Sequence, residues 1–128
     1  MQTTGRERIL IVDDEDSIID IAREVLERQG YHVFASGNGR EALAVYREAI
    51  PPIDLVILDL NLPDMNGEDV LDCMKDINPL VRVILSSGYR RLTEKTYAMD
   101  GKDPHHFLQK PFRITELIAK VRDTLAEE

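Results

Sequence analysis

The sequence predicts an α/β fold in which a parallel sheet carries helices on both faces. Short apolar runs alternate with segments whose apolar residues recur at helical spacing, and no linker or repeat interrupts this alternation. Continuous Val, Ile and Leu runs are typical of parallel strands that are buried on both sides. Strands are predicted at residues 7–13, 31–35, 54–59, 81–86 and 105–109. Periodicity leaves the strand order open, because several doubly wound sheets share this alternation.

Helical patterns fill the gaps between these strands. Asn38 lies three residues before Glu41, and Asn66 three before Asp69, so both asparagines are predicted to begin helices. The segment 90–99 has only scattered apolar positions, and we expect a short or mobile helix there. The apolar stripes are Ile18, Ala22, Val25 and Leu26; Ala42, Leu43, Val45 and Tyr46; Val70, Leu71 and Met74; and Ile114, Leu117, Ile118, Val121 and Leu125.

Composition favours one compact domain. The chain has 128 residues, a formal net charge of -8 and a single cysteine, Cys73, which rules out an internal disulfide framework. The negative charge and the lack of a basic run argue against nucleic acid as the main partner. Residues 1–8 show no signal peptide, and no apolar stretch is long enough for a bilayer, so a cytoplasmic protein without a membrane partner is expected.

Charged side chains follow three of the predicted strands. Asp13 and Asp14 come after the first strand, Asp59 after the third and Lys110 after the fifth. Because open α/β sheets bind ligands at the carboxyl ends of their strands, three carboxylates and one ammonium group are expected to share one rim. This arrangement predicts that a cation and an anion bind there.

The clustered carboxylates require a positive charge. Two like charges ~4 Å apart repel by about 4 kcal/mol at an effective dielectric constant of about 20. Mg²⁺ prefers oxygen ligands and is the predicted cofactor. A carboxylate beside Mg²⁺ can attack a phosphoryl group, while the metal and Lys110 neutralise the charge on the transferred oxygens. Ser86, just past the fourth apolar run, can donate a hydrogen bond to a phosphoryl oxygen.

Four motifs together resemble the response-regulator receiver domain of two-component signalling. They are IVDD at 11–14, ILDLNLPDMNG at 57–67, LSSG at 85–88 and FLQKPF at 107–112. The resemblance implies a single receiver domain over 1–128, with a core of about 8–125. It also implies a flavodoxin-like, five-stranded sheet in the order 2-1-3-4-5. Such a domain is a phospho-accepting switch, and catalysis on a diffusible substrate is not expected.

The same resemblance assigns roles to the rim residues. Asp59 would accept the phosphoryl group from a histidine kinase or a histidine phosphotransfer domain. Asp14 would ligate Mg²⁺ directly, Asp13 would do so through water, and the backbone carbonyl of Asn61 would complete the protein ligands together with Asp59. Lys110 would pair with the phosphoryl group, and the peptide bond to the following proline, Pro111, would be cis.

A switch is implied as well. Ser86 would sense the phosphoryl group, with Ser87 as the alternative hydroxyl, and Phe107 would fill the space left by the moving loop. The output face would be residues 90–128, which would contact an unknown protein partner or a second copy of the chain. Whether the domain stands alone or belongs to a larger protein stays open.

Two departures from the family pattern lead to further expectations. Arg113 stands where a Ser or Thr N-cap is common, so the last helix is expected to start nearer Thr115. Gly88 leaves water access to the presumed phosphoryl site, and moderately rapid self-dephosphorylation is expected.

Two rival functions fit single motifs. Gly37, Gly39 and Ala42 form a G-x-G-x-x-A pattern, with Asp59 twenty-two residues after Gly37, which mimics a dinucleotide-binding fingerprint. This interpretation leaves the other rim residues unexplained. An aspartate-based phosphohydrolase would need a second acid where Asn61 stands, and a cap domain for its substrate.

Overall fold

The computed structural model describes residues 7–88 and 106–127, which form one parallel sheet flanked by helices. The strand order is β2-β1-β3-β4-β5, so the predicted fold class and strand order are confirmed. The predicted strand start at 105 and the predicted helix at 90–99 lie outside the described residues. The strands are β1 (Arg8–Val12), β2 (His32–Ser36), β3 (Leu55–Asp59), β4 (Val83–Ser87) and β5 (Phe107–Gln109). The helices in the described part are α1 (Asp16–Arg28), α2 (Gly39–Glu48), α3 (Gly67–Ile77) and α4 (Ile114–Leu125).

The sheet buries a separate hydrophobic cluster on each face. Successive side chains of a strand point to opposite faces, so a strand buried on both sides needs apolar residues at every position. On the α2/α3 face, strand residues pack with helices α2 and α3; these strand residues are Leu10, Val12, Val56, Leu58, Leu85 and Phe107. On the α1/α4 face, they pack with helices α1 and α4; these are Ile9, Ile11, Leu55, Ile57, Ile84 and Leu108.

Helix starts follow the capping predictions in part. The Asn38 side chain accepts a hydrogen bond from the Glu41 N–H at 2.9 Å, as the spacing predicts. The Asn66 side chain accepts from Glu68, one residue earlier than the predicted Asp69. Among the described helices, none combines the length and the hydrophobicity that crossing a bilayer demands.

The ends of β1, β2 and β3 lie within one residue of the predicted positions, and the starts of β4, β5 and α4 also differ from their predictions. Strand β4 starts at Val83 and not at residue 81, because the Val81 N–H donates to the Asn78 carbonyl in the turn that ends α3. Helix α4 begins at Ile114, one residue before the predicted Thr115. Its N-cap, Arg113, adopts extended backbone angles and makes no side-chain capping bond, so the backbone conformation sets this helix start.

Candidate functional site

Strand register brings the predicted rim residues to one side of the sheet. Asp59 of β3 pairs with Ser86 of β4, so their side chains share a face. The ladders continue past two strand ends, because the Asp13 N–H donates to the Ser36 carbonyl and the Lys110 N–H donates to the Ser87 carbonyl. Strand alternation therefore places the side chains of Asp13, Asp59, Ser86 and Lys110 on the α1/α4 face, at the carboxyl edge.

Three carboxylates meet at this edge. Asp13, Asp14 and Asp59 each offer an oxygen within 4.8 Å of the others. Asp13 and Asp59 are only 3% and 4% exposed, whereas Asp14 is exposed to solvent. Hard oxygen donors at this spacing fit a divalent cation such as Mg²⁺, which binds carboxylates and keeps part of its water shell. The exposed Asp14 leaves room for that water.

The Lys110 ammonium group lies among the acidic side chains. Its Nζ atom is 2.7 Å from Asp13 Oδ2, 3.1 Å from Asp59 Oδ2 and 3.4 Å from Glu15 Oε1. Burial by itself would lower the pKa of Lys110, but the hydrogen bonds and charges of Asp13 and Asp59 outweigh burial and raise the pKa. Lys110 is therefore a fixed positive charge beside the Asp59 carboxylate.

Opposing effects act on the pKa of the Asp59 carboxylate. Burial raises its pKa above the ordinary value, and the neighbouring Asp13 charge adds to this effect. The Asn61 N–H donates to Asp59 Oδ1 at 3.0 Å, and this bond and Lys110 favour the ionised form. A partly desolvated carboxylate next to a cation is a suitable nucleophile, because little water must leave it before reaction.

A tight loop positions Asn61 after β3. The Gly67 N–H donates to the Leu60 carbonyl at 3.1 Å, and Asn61 forms an isolated antiparallel bridge with Asn66. A Cβ atom on Gly67 would lie 2.5 Å from Leu60 Cα and 2.7 Å from the Asp59 carbonyl oxygen. The loop can therefore close against β3 only because residue 67 lacks a side chain.

The remaining predicted residues lie on β4, on β5 and directly after β5. Ser86 is buried, and its Oγ has no hydrogen-bond partner among the residues that the structure describes. Ser87 and the fully buried Phe107 lie on the opposite, α2/α3 face. The Lys110–Pro111 peptide bond is cis.

Sequence reasoning missed two acidic residues near the rim. Glu15 lines a cleft of about 250 Å³ together with Asp14, Asp59, Asn61, Gly88 and Lys110. Its position directly after the predicted Asp13–Asp14 pair was the available signal. The second missed residue is Asp64, in the loop between β3 and α3.

Asp64 occupies the N-terminus of α2. Its carboxylate accepts hydrogen bonds from the Gly39 N–H at 2.7 Å and from the Arg40 N–H at 3.0 Å. These bonds, the Gly39 bond first, lower the pKa of Asp64. A dinucleotide would place its pyrophosphate on the same N–H groups. In this chain the anion bound at the G-x-G-x-x-A pattern is the Asp64 carboxylate.

Comparison with known proteins identifies the family of this chain. Residues 9–122 match the family model of the response regulator receiver domain, and the chain belongs to that family. It is 37% identical over 122 residues to the DNA-binding response regulator MtrA of Mycolicibacterium smegmatis, covering 95% of this chain and 52% of that protein. The chain thus spans about half the length of this relative.

Two further relatives match over most of their length. Sporulation initiation phosphotransferase F of Bacillus subtilis is 37% identical over 119 residues, covering 93% of this chain and 94% of that protein. The CheY-like receiver domain protein of Methanospirillum hungatei superposes with a TM-score of 0.80 at 30% identity, covering 94% of each chain. The general function of the family is to accept a phosphoryl group in two-component signalling.

Proposed function

We propose that this chain accepts a phosphoryl group on Asp59 from the phosphohistidine of a histidine kinase or a histidine phosphotransfer domain. The observation that carries the proposal is the buried Asp59 carboxylate, which lies 3.1 Å from Lys110 Nζ and beside Asp13 and Asp14. An Asp59 oxygen attacks phosphorus, the phosphorus–nitrogen bond breaks, and the leaving imidazole nitrogen takes up a proton. The product is an aspartyl phosphate.

The rim residues have distinct electrostatic roles in the proposed reaction. Asp14, Asp59 and the backbone carbonyl of Asn61 would hold Mg²⁺ directly, and Asp13 would hold it through water. When bound, the cation neutralises negative charge on the transferred oxygens. Lys110 supplies a further positive charge, with its Nζ atom 3.1 Å from Asp59 Oδ2 and 2.7 Å from Asp13 Oδ2. The Asn61 N–H favours the ionised form of the carboxylate and fixes its orientation.

Ser86 is the proposed phosphate-sensing residue. Its hydroxyl is buried, has no hydrogen-bond partner within residues 7–88 and 106–127, and lies on the same face as Asp59, whereas Ser87 lies on the opposite face. A bond from Ser86 to the phosphoryl group would draw the end of β4 inward. Leu85 pairs in register with Phe107, so this movement would reach Phe107, the second proposed switch residue. The output face would be residues 90–128.

Several wider properties belong to the same proposal. The chain would form one receiver unit over 1–128, with its core at about 8–125, and would work in the cytoplasm. Its chemistry would be limited to its own phosphorylation and dephosphorylation. The output partner would be a protein or a second copy of the chain through the 90–128 face, with no direct nucleic-acid or membrane contact.

Intact mass spectrometry tests the phosphorylation site. Wild type, Asp59→Asn and the control Asp72→Asn, which removes an exposed acid from α3, are incubated with a small acyl phosphate and Mg²⁺. Wild type and Asp72→Asn should gain one phosphoryl group, and Asp59→Asn should gain none. Equal labelling of Asp59→Asn would refute the proposal.

A further inference from the structure

We propose that Gln109 is a positioning residue for phosphoryl binding, because its side-chain amide ties the end of β4 to the end of β5. This inference rests on the function proposed above. Gln109 Nε2 donates to the Ser87 carbonyl at 3.1 Å and makes a longer contact of 3.4 Å with the Lys110 carbonyl. The Ser87 carbonyl also accepts from the Lys110 N–H at 2.9 Å.

This bridge joins the two strands that carry the phosphoryl-binding groups outside the metal-ligand set. Ser86 precedes Ser87 on β4, and Lys110 follows Gln109 just after β5. The backbone pair alone gives the end of this ladder one hydrogen bond, and the Gln109 amide adds a second to the same oxygen. On the β3 side the Leu60 N–H donates to the Ser86 carbonyl at 3.0 Å, so the Gln109 amide adds its restraint on the β5 side.

The surroundings fix the orientation of the amide. Two carbonyl oxygens face one end of the Gln109 side chain, and only its NH₂ group can donate to them. Gln109 Oε1 is buried and has no partner in the described part of the chain. Strand alternation directs the Gln109 side chain to the α2/α3 face, opposite Asp59, so it acts on the site only through the backbone of its neighbours.

The bridge predicts that Gln109 affects the binding of the phosphoryl group and leaves the binding of Mg²⁺ unchanged. The proposed Mg²⁺ ligands lie at the end of β3 and in the segments directly after β1 and β3, whereas Gln109 restrains β4 and β5. Loss of the amide donors should therefore weaken the contacts of Ser86 and Lys110 with the phosphoryl group and leave Mg²⁺ affinity unchanged. Loss of one neutral hydrogen bond corresponds to a change of about fivefold.

The test variant is Gln109→Leu, which removes the amide donors and keeps a side chain of similar size. The control is Gln29→Leu, which changes an exposed glutamine after α1. Calorimetry measures the Kd of Mg²⁺, and then of beryllium fluoride at saturating Mg²⁺. Mass spectrometry measures the rate of phosphorylation by an acyl phosphate. In Gln109→Leu, beryllium fluoride affinity and the phosphorylation rate should fall about fivefold, with Mg²⁺ affinity within about twofold of wild type. Gln29→Leu should match wild type throughout.

Wild-type beryllium fluoride affinity in Gln109→Leu would overturn the inference and leave the proposed function standing. A parallel loss of Mg²⁺ affinity would also overturn it, because it would show a general structural role. A wild-type chain that takes up no phosphoryl group would overturn both. Gln109→Met provides the same comparison if Gln109→Leu fails to fold.

Discussion

Replacing Gly67 with alanine should destabilise the fold by about 2 kcal/mol. The new Cβ would lie 2.5 Å from Leu60 Cα and 2.7 Å from the Asp59 carbonyl oxygen. Both are backbone atoms that cannot rotate away, so the cost lies near the upper end of the ~1–3 kcal/mol typical of overpacking. Alanine recovers up to about 1 kcal/mol by restricting the unfolded chain, which leaves the net value.

Urea unfolding followed by circular dichroism measures this free energy. Gly37→Ala is the matched control, because its Cβ would meet its nearest neighbour, the Asp13 carbonyl oxygen, at 4.0 Å. The control should unfold within about 0.5 kcal/mol of wild type. A second consequence concerns the site, since displacement of the 59–61 backbone should slow phosphorylation of Gly67→Ala. Equal unfolding free energies for Gly67→Ala and Gly37→Ala would refute the reasoning.

Three further predictions concern the rim. Asp64→Ala should lower the melting temperature at neutral pH. Because the pKa of Asp64 is lowered in the folded state, the difference in melting temperature from wild type should vanish as the pH falls through that pKa. A difference that grows in acid would contradict the lowered pKa. Ser86→Ala should weaken beryllium fluoride binding about fivefold and Ser87→Ala should not, so the reverse order would transfer the sensing role to Ser87. Gly88→Glu should lose its phosphoryl group more slowly than wild type in a time course of intact mass, and an unchanged rate would exclude water access at Gly88 as the determinant.

The sequence is sufficient to predict the strands and the rim residues, because both depend on local patterns. Apolar runs locate the strands, and a charged residue directly after a run must lie at the carboxyl edge of a parallel sheet. The choice between Ser86 and Ser87 needs the register of β4 on β3, which apolar runs define only to within a residue or two. Strand β4 starts two residues later than predicted and includes Ser87.

Contacts between distant loops are the part that local patterns leave out. Asp64 reaches Gly39 across 25 residues, and Glu15 reaches Lys110 across 95. Neither pair shares a periodic element, and both depend on how the loops fold over the finished sheet. The Gln109 amide bridge is hidden for the same reason, because its acceptor is the backbone of another strand.

A structure determined with Mg²⁺ and beryllium fluoride tests most directly whether the rim is a phosphoryl site. Beryllium should be bound to the Asp59 carboxylate, with Lys110 and the Ser86 hydroxyl contacting fluorine and the cation held by the neighbouring aspartates. Beryllium fluoride on another residue, or Mg²⁺ away from Asp13 and Asp14, would contradict the assignment of Asp59 as the acceptor.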